Sequence, residues 1–360
     1  MTSMSVLRYL KMTIFVILPL LFCLAYLLSI NTFEKTDALA LQYFEMHEYA
    51  KAFDLFQKSA QEGSANAQYF LGKLYQEGLG TKQNITKAYS WYKKAAIQGH
   101  SLAQLKLGLL NLEAQDSQAF VWLEKAANQG NQEAQIHLGI LYANGIGVQQ
   151  DDGEAFFWFR KAALQGDATS QYYIGSMYLE GKGAIQNYAK ALDWFQKAAQ
   201  QGNVDAQVNL GIMYANGFGI PKDDFKAFQW FEKAALQKDK SGQYHLAVLY
   251  QNGIGTEKNL SKALEWFEKA ANQGNIDAQV NLGILYAKEF NDESKAFYWF
   301  EKAALRGDAQ ACLNVGTMYA KGEGVDQDFS KAAFWFQKAA DQGNESAQYN
   351  LSLLSQMKNQ

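Results

Sequence analysis

The spacing of apolar and polar residues changes once along the chain. Residues 12–30 carry no charged side chain, whereas beyond residue 36 apolar residues recur every three or four positions. The second pattern predicts amphipathic helices, because side chains three and four residues apart lie on one face of a helix. Within residues 203–238, Ala206, Leu210 and Met213 form one such stripe, and a second stripe follows beyond two glycines. We therefore predict a helix pair in this segment.

The helix-pair pattern returns with a period of 36 residues. The stretch "NVDAQVNLGIMYA" from Asn203 is echoed by "NIDAQVNLGILYA" from Asn275, and a "KAA.QG" marker closes most units. Two units are shorter, with 31 and 33 residues, and both lack the G-x-G pair that ends the first helix elsewhere. In residues 203–238, Asn203 before the first stripe suits a helix N-cap, and Gly217 and Gly219 after it suit a left-handed C-terminal cap. Such an array buries each stripe against the neighbouring unit.

The unit pattern "A...LG.MYANG.GI..D..KA..WF.KAA" resembles the Sel1-like repeat, a relative of the tetratricopeptide repeat. The resemblance implies an all-α fold, a right-handed α/α solenoid of helix-turn-helix repeats that serves as a protein-interaction scaffold in the bacterial envelope. We expect a cytoplasmic stub and transmembrane helix in 1–35, a divergent tetratricopeptide-like unit in 36–63, eight Sel1-like repeats in 64–343 and a C-terminal capping half repeat in 344–360.

The run at 12–30, "MTIFVILPLLFCLAYLLSI", is 19 residues long, about the length that crosses a bilayer as a helix. Arg8 and Lys11 precede it, so the positive-inside rule predicts a single-pass protein with a cytoplasmic N-terminus. The repeats would then be extracytoplasmic, and periplasmic in a Gram-negative cell. The alternative is a cleaved signal peptide, whose apolar region normally spans roughly 7–15 residues. On that interpretation the repeats would be secreted.

Composition limits the possible chemistry. With 33 basic and 36 acidic residues the net charge is −3, which argues against nucleic acid as the main partner. The two cysteines, Cys23 and Cys312, match neither a disulfide framework nor a metal-site spacing. His137 and His245 share a repeat position three units apart, too far to hold one metal ion. No catalytic triad or dyad emerges, so we expect a non-enzymatic protein without cofactor or metal.

Two polar columns run through the repeats. The lysine that opens each "KAA" marker is expected to lie on a solvated outer face. A glutamine column in the first helices, which includes Gln68 and Gln207, is expected to make helix–helix hydrogen bonds. Cys312 replaces this glutamine in one unit, and we expect a buried thiol there rather than a reactive one.

The candidate binding surface is a face of the first helices. Counted from the N-cap, positions 4, 8, 11 and 12 form the buried stripe, and positions 3, 6, 10 and 13 should point away from it. In the related tetratricopeptide fold that face lines the inner groove. The candidate residues for a protein or peptide partner are Tyr69, Lys73, Ile136, Tyr172, Ser176, Val208, Ile212, Tyr244, Val248, Val280 and Ile284.

These columns are more apolar than an open solvated surface, which leaves two interpretations. Either they bind a partner, or they pack against neighbouring repeats. A glycan ligand such as peptidoglycan, bound through Tyr, Trp and Asn side chains, is the alternative to a protein partner. A hydrolase acting on the cell wall is the remaining class, and it would require a local cluster of acids or nucleophiles that interrupts the repeat pattern.

Overall fold

The computed structural model describes residues 34–358, and every regular element among them is a helix. The transmembrane helix predicted at 12–30 lies outside the described residues. Within 34–358 none of the helices combines the length and the apolar character needed to cross a bilayer. The predicted all-α solenoid is confirmed, because the helices form successive pairs, and within each of the two compact units of the chain neighbouring pairs pack on one another.

Nineteen helices make up the described residues. Helix α1 covers residues 34–45. The others are α2 (Tyr49–Glu62), α3 (Ala65–Glu77), α4 (Ile85–Ile97), α5 (Ser101–Glu113), α6 (Gln118–Asn128), α7 (Gln132–Asn144), α8 (Asp152–Leu164), α9 (Ala168–Glu180), α10 (Tyr188–Gln200), α11 (Val204–Asn216), α12 (Asp224–Leu236), α13 (Lys240–Asn252), α14 (Leu260–Asn272), α15 (Ile276–Glu289), α16 (Glu293–Leu305), α17 (Ala309–Lys321), α18 (Phe329–Ala340) and α19 (Glu345–Lys358).

Helices α3 to α18 form eight pairs, each with a first helix of odd number and a second helix of even number. Two compact units divide the chain after Gln165, so α1–α8 belong to one unit and α9–α19 to the other. Inside each unit a helix packs on the helices before and after it in sequence. The four-part division of the chain made from the sequence stays a prediction.

The ends of the helices follow the predicted capping residues. The Asn203 side chain accepts the Ala206 N–H at 2.8 Å and so satisfies one of the free donors at the start of α11. Gly217 ends the same helix at φ 71°, a left-handed conformation, and its N–H donates to the Met213 carbonyl at 2.9 Å. The G-x-G pairs are therefore turns between helices.

The core depends on small residues that let the two helices of a pair approach closely. A Cβ atom added at Gly211 would lie 2.6 Å from the Phe231 ring, so α11 needs glycine where α12 presents its phenylalanine. Glycine inside a helix costs about 0.5–1 kcal/mol relative to alanine. Burial of Phe231 and of Ala227 and Ala234, which are fully buried on α12, offsets this cost.

Candidate functional site

The eleven candidate residues all lie on first helices, on α3, α7, α9, α11, α13 and α15. Only 8% of the surface of Tyr69 and 9% of that of Val208 is accessible to solvent, and the other nine residues are half-buried. Position 6 therefore lies at the edge of the core, which differs from the expectation that this column points away from it. Tyr69 and Val208 offer little surface to a partner, whereas the remaining nine keep part of their side chains open.

Aromatic packing within each pair explains why the position-6 tyrosines are half-buried. The ring of Tyr172 lies 5.9 Å from Phe195, and that of Tyr244 lies 6.0 Å from Phe267, measured between ring centroids. Each phenylalanine belongs to the second helix of the same pair. Burial raises the pKa of both tyrosine hydroxyls. These tyrosines thus stabilise their own pair with one part of the ring and leave the rest accessible.

Tyr69 is held more tightly because a neighbouring pair also covers it. Its ring lies 5.8 Å from Tyr92 on α4 and stacks on His100 at 4.8 Å. His100 is the N-cap of α5, and its Nδ1 accepts the Ala103 N–H at 3.2 Å. At Tyr69, the first residue of the position-6 column, packing against neighbouring repeats therefore explains the side chain better than binding of a partner does.

A groove opens between α15 and α17, next to position 10. It has a volume of about 610 Å³. Its lining combines apolar side chains with polar and charged ones, namely Ile284, Ala287, Lys288, Glu293, Phe300, Gln310, Asn314, Thr317, Met318, Lys321 and Glu323. Ile284 is one of the candidate residues, and Thr317 occupies the same repeat position two helices later. Most pockets for small ligands or side chains have this mixed character, with an apolar floor and a few polar groups.

The glutamine column forms the predicted hydrogen bonds between helices. Gln68 is buried, and its Nε2 donates to the Ala60 carbonyl of the preceding pair at 3.1 Å. Its Oε1 accepts from Nε2 of Gln98, at the C-terminal cap of α4, at 2.8 Å. Equivalent glutamine–glutamine bonds of 2.6–2.9 Å recur in five further pairs. We call this arrangement the glutamine ladder; the sequence indicated its first member but not its partner 30 residues later.

The glutamine ladder is interrupted near the end of the chain. Arg306 occupies the capping position held elsewhere by glutamine, and its guanidinium donates to the Gly274 carbonyl at 2.6 Å. The Oε1 atom of Gln279 is consequently buried without a hydrogen-bond partner. In the next pair the thiol of Cys312 lies 3.7 Å from the Ala304 carbonyl, fully buried. Burial raises the pKa of this thiol, which fits the predicted structural role.

Six lysines of the column are exposed and two, Lys161 and Lys302, are half-buried, and none is simply solvated. Each lysine places its ammonium over an aromatic ring three residues earlier, a spacing that brings side chains together on a helix. The distances from Nζ to the ring centroid are 3.9 Å for Lys94 over Trp91, 4.0 Å for Lys233 over Trp230 and 3.9 Å for Lys269 over Trp266. The W-x-x-K spacing was the sequence signal for this contact, and the expectation of a freely solvated face missed it.

The histidines and acids do not converge. His137 and His245 are half-buried on α7 and α13, and burial lowers the pKa of both imidazoles. In the part of the chain from 34 to 358, no three His, Cys, Asp or Glu side chains are grouped closely enough to hold a metal ion. Along successive first helices, apolar and aromatic side chains lie beside hydrogen-bonding groups. Such a surface is suited to binding another molecule.

Comparison with known proteins agrees with the repeat pattern. The Sel1 repeat family profile matches nine segments, at 48–64, 65–100, 101–131, 132–167, 168–203, 204–239, 240–275, 276–308 and 309–344. Among curated proteins, DAP3-binding cell death enhancer 1 from Rattus norvegicus is 37% identical over 65 residues. That match covers 18% of this chain and 13% of the length of the rat protein.

Two solved structures superpose on most of the chain. A protective antigen present in uropathogenic Escherichia coli strains, described as displaying an SLR fold, superposes with a TM-score of 0.83 at 36% identity. The match covers 89% of this chain and 71% of the antigen. A Sel1 repeat protein from Oxalobacter formigenes superposes with a TM-score of 0.70 at 32% identity, and covers 84% of this chain and 89% of that one.

Proposed function

Because the chain belongs to the Sel1 repeat family, whose members typically mediate protein–protein interactions, we propose that it is a non-enzymatic scaffold or adaptor. It binds a peptide or protein partner on the exposed faces of its first helices. The observation that carries this proposal is the groove of about 610 Å³ between α15 and α17, which continues the half-buried position-10 column.

The groove has the chemistry that an extended peptide needs. The half-buried Ile284 and Ala287 supply apolar area for a side chain of the partner. Gln310 and Asn314 lie on the same helix and bond to each other at 3.2 Å, so their remaining donors and acceptors are free to meet a peptide backbone. Lys288 places a positive charge and Glu293 a negative charge at the groove, so a partner with complementary charges would bind in one orientation.

A glycan ligand is supported less well than a protein. An open aromatic face is what a sugar ring stacks on, and the tryptophan rings of α4, α12 and α14 are overlaid by lysine ammonium groups. Purified cell wall should therefore retain little of the protein in a sedimentation assay, whereas saturable retention would favour the glycan-binding alternative.

We also propose that residues 12–30 anchor the protein in the membrane with the repeats on the extracytoplasmic side. The support is the uncharged run of 19 residues and the placement of Arg8 and Lys11 before it. Protease added outside intact cells or spheroplasts should digest the repeats of the anchored protein. A protein found only in the medium would indicate a cleaved signal, and full protection from protease would contradict the proposed topology.

Filling the groove tests the proposed partner site without removing core contacts. Gln310 is exposed in the first turn of α17 and lines the groove, so Gln310→Trp should block it while the melting temperature stays the same. Gln229→Trp, at an exposed position on second helix α12, is the matched control. Proximity labelling should then show partners that are retained by the wild type and the control but lost from Gln310→Trp. Unchanged labelling by Gln310→Trp would refute the groove as the binding site.

A further inference from the structure

The late start of α6 leaves a gap beside the turn that follows it. In other units the second glycine of the G-x-G turn abuts the start of the second helix of the preceding pair: a Cβ atom at Gly255 would lie 2.1 Å from the Asp224 carbonyl oxygen, and one at Gly324 would lie 2.2 Å from that of Glu293. Helices α12 and α16 begin three residues before their first buried alanine, whereas α6 begins one residue before Ala119. Gly147 follows the α5–α6 pair, and its Cβ would meet nothing within 4 Å.

A cleft of about 390 Å³ lies between the start of α6 and the turn at Ile146 and Gly147. Its walls are mainly apolar and its rim is polar, and it is lined by Leu112, Gln115, Asp116, Ser117, Ala119, Phe120, Leu141, Ile146 and Gly147. Ile146 is 47% exposed; the equivalent Phe218 is 40% exposed and Ile254 is half-buried. Ile146 thus presents apolar area to solvent at the edge of the cleft.

Beside this cleft, Tyr142 differs from the other tyrosines at its repeat position. Six of them carry a lysine of their own second helix over the ring, at 5.0–5.3 Å from the centroid. At Tyr142 the position of that lysine is taken by Glu154, and in the described chain no lysine or arginine covers the ring. The ring also contacts Phe120, which lines the cleft, at 5.5 Å between centroids.

The charge near Tyr142 is negative in balance. Residues 106–161 contain seven carboxylates and four basic residues, of which Lys125 lies over Trp122 at 4.4 Å and Lys161 over Trp158 at 4.8 Å. Burial raises the pKa of the Tyr142 hydroxyl, and the nearby charges of Glu154, Glu124 and Asp151 raise it further. The aromatic ring thus lies in a field that attracts a cation.

We propose that the cleft and Tyr142, together called the Tyr142 cleft, dock a basic segment of a partner protein. A lysine or arginine of the partner takes the position over the Tyr142 ring that an internal lysine holds in six other pairs. An adjacent apolar side chain of the partner enters the cleft between Phe120 and Ile146. This site lies outside the first-helix candidate residues, so it goes beyond the groove proposed above and can be tested separately from it.

A lysine at position 154 should occupy the place over the Tyr142 ring and so exclude the cation of the partner. Glu154→Lys keeps the backbone N–H that caps α8 on Asp151 and places an ammonium over Tyr142, as the other pairs do. The probe is a fluorescein-labelled peptide in which Leu-Phe is flanked by arginines, titrated against the full-length protein by fluorescence anisotropy. We expect binding about tenfold weaker for Glu154→Lys. Glu257→Lys, at an exposed turn position elsewhere, makes the same charge change and should bind like the wild type.

A second pair of variants tests the apolar wall. Ile146→Ser should weaken binding of the same peptide at least about threefold, because it removes apolar area from the exposed rim. Phe218→Ser changes the equivalent turn residue, 40% exposed, in a pair that follows a complete turn, and should have no effect. A peptide with glutamates in place of the arginines should not bind.

Three results would overturn the proposal: no saturable binding of the arginine peptide by the wild type, equal weakening by Glu154→Lys and Glu257→Lys, or equal binding of the glutamate peptide. Gln310→Trp should leave binding of the arginine peptide unchanged. Failure at the Tyr142 cleft is therefore distinguishable from failure at the α15–α17 groove.

Discussion

Arg306 interrupts the glutamine ladder, and Arg306→Gln should repair it. A glutamine there can donate to the buried Oε1 of Gln279, as its counterparts do in six other pairs at 2.6–2.9 Å. A buried polar atom without a partner costs about 1–3 kcal/mol, and a neutral hydrogen bond contributes about 1 kcal/mol net. The bond from Arg306 to Gly274 is exposed, and Gln165 makes the corresponding bond to Gly130 at 3.2 Å. We therefore expect a net stabilisation of about 1 kcal/mol.

Urea denaturation followed by circular dichroism measures the change in free energy of unfolding, and hydrogen exchange localises it. Protection should rise in α15 to α17, because stability in a stacked array is largely a sum of local terms. A shift of roughly 2–4 °C in melting temperature is expected for a cooperative unit of this size. Arg160→Gln, at an exposed arginine outside the ladder, should leave both measurements unchanged. If Arg306→Gln were no more stable than the wild type, a glutamine–glutamine bond between residues 306 and 279 would not stabilise the protein.

The packing of small residues and the histidine N-cap give two further predictions. Gly211→Ala should destabilise the protein by about 1 kcal/mol, because the new methyl group would lie 2.6 Å from the Phe231 ring and overpacking costs about 1–3 kcal/mol, while alanine regains about 0.5–1 kcal/mol over glycine inside a helix; an unchanged urea midpoint would contradict this. Because burial lowers the pKa of His100, the unfolded chain binds the proton first, so the stability present above about pH 6.5 should decline as the pH falls below it. Urea denaturation across this range should show a smaller decline for His100→Asn, which keeps a side-chain acceptor for the Ala103 N–H, and an equal decline would exclude His100 as the cause.

Local sequence determined the helices and their ends. The apolar spacing in residues 203–238, the Asn203 cap and the Gly217 turn each depend on neighbours within about one helical turn, and the structure places all three as predicted. The glutamine column was also readable, because a polar side chain at a buried repeat position must find a hydrogen bond. Repetition made these signals strong, since each copy restates the same local requirement.

Contacts between residues about one repeat apart were decided only by the tertiary structure. Whether a position-6 side chain is open depends on the aromatic residue that the second helix places beneath it, as Phe195 lies beneath Tyr172. The space beside Gly147 likewise depends on where α6 begins in the pair before it. Periodicity gives the direction of a side chain from its own helix, but its exposure is set by the volume that neighbouring helices fill. For this reason the sequence determined the repeat and its buried stripe, whereas the packed structure determined which surfaces stay open for a partner.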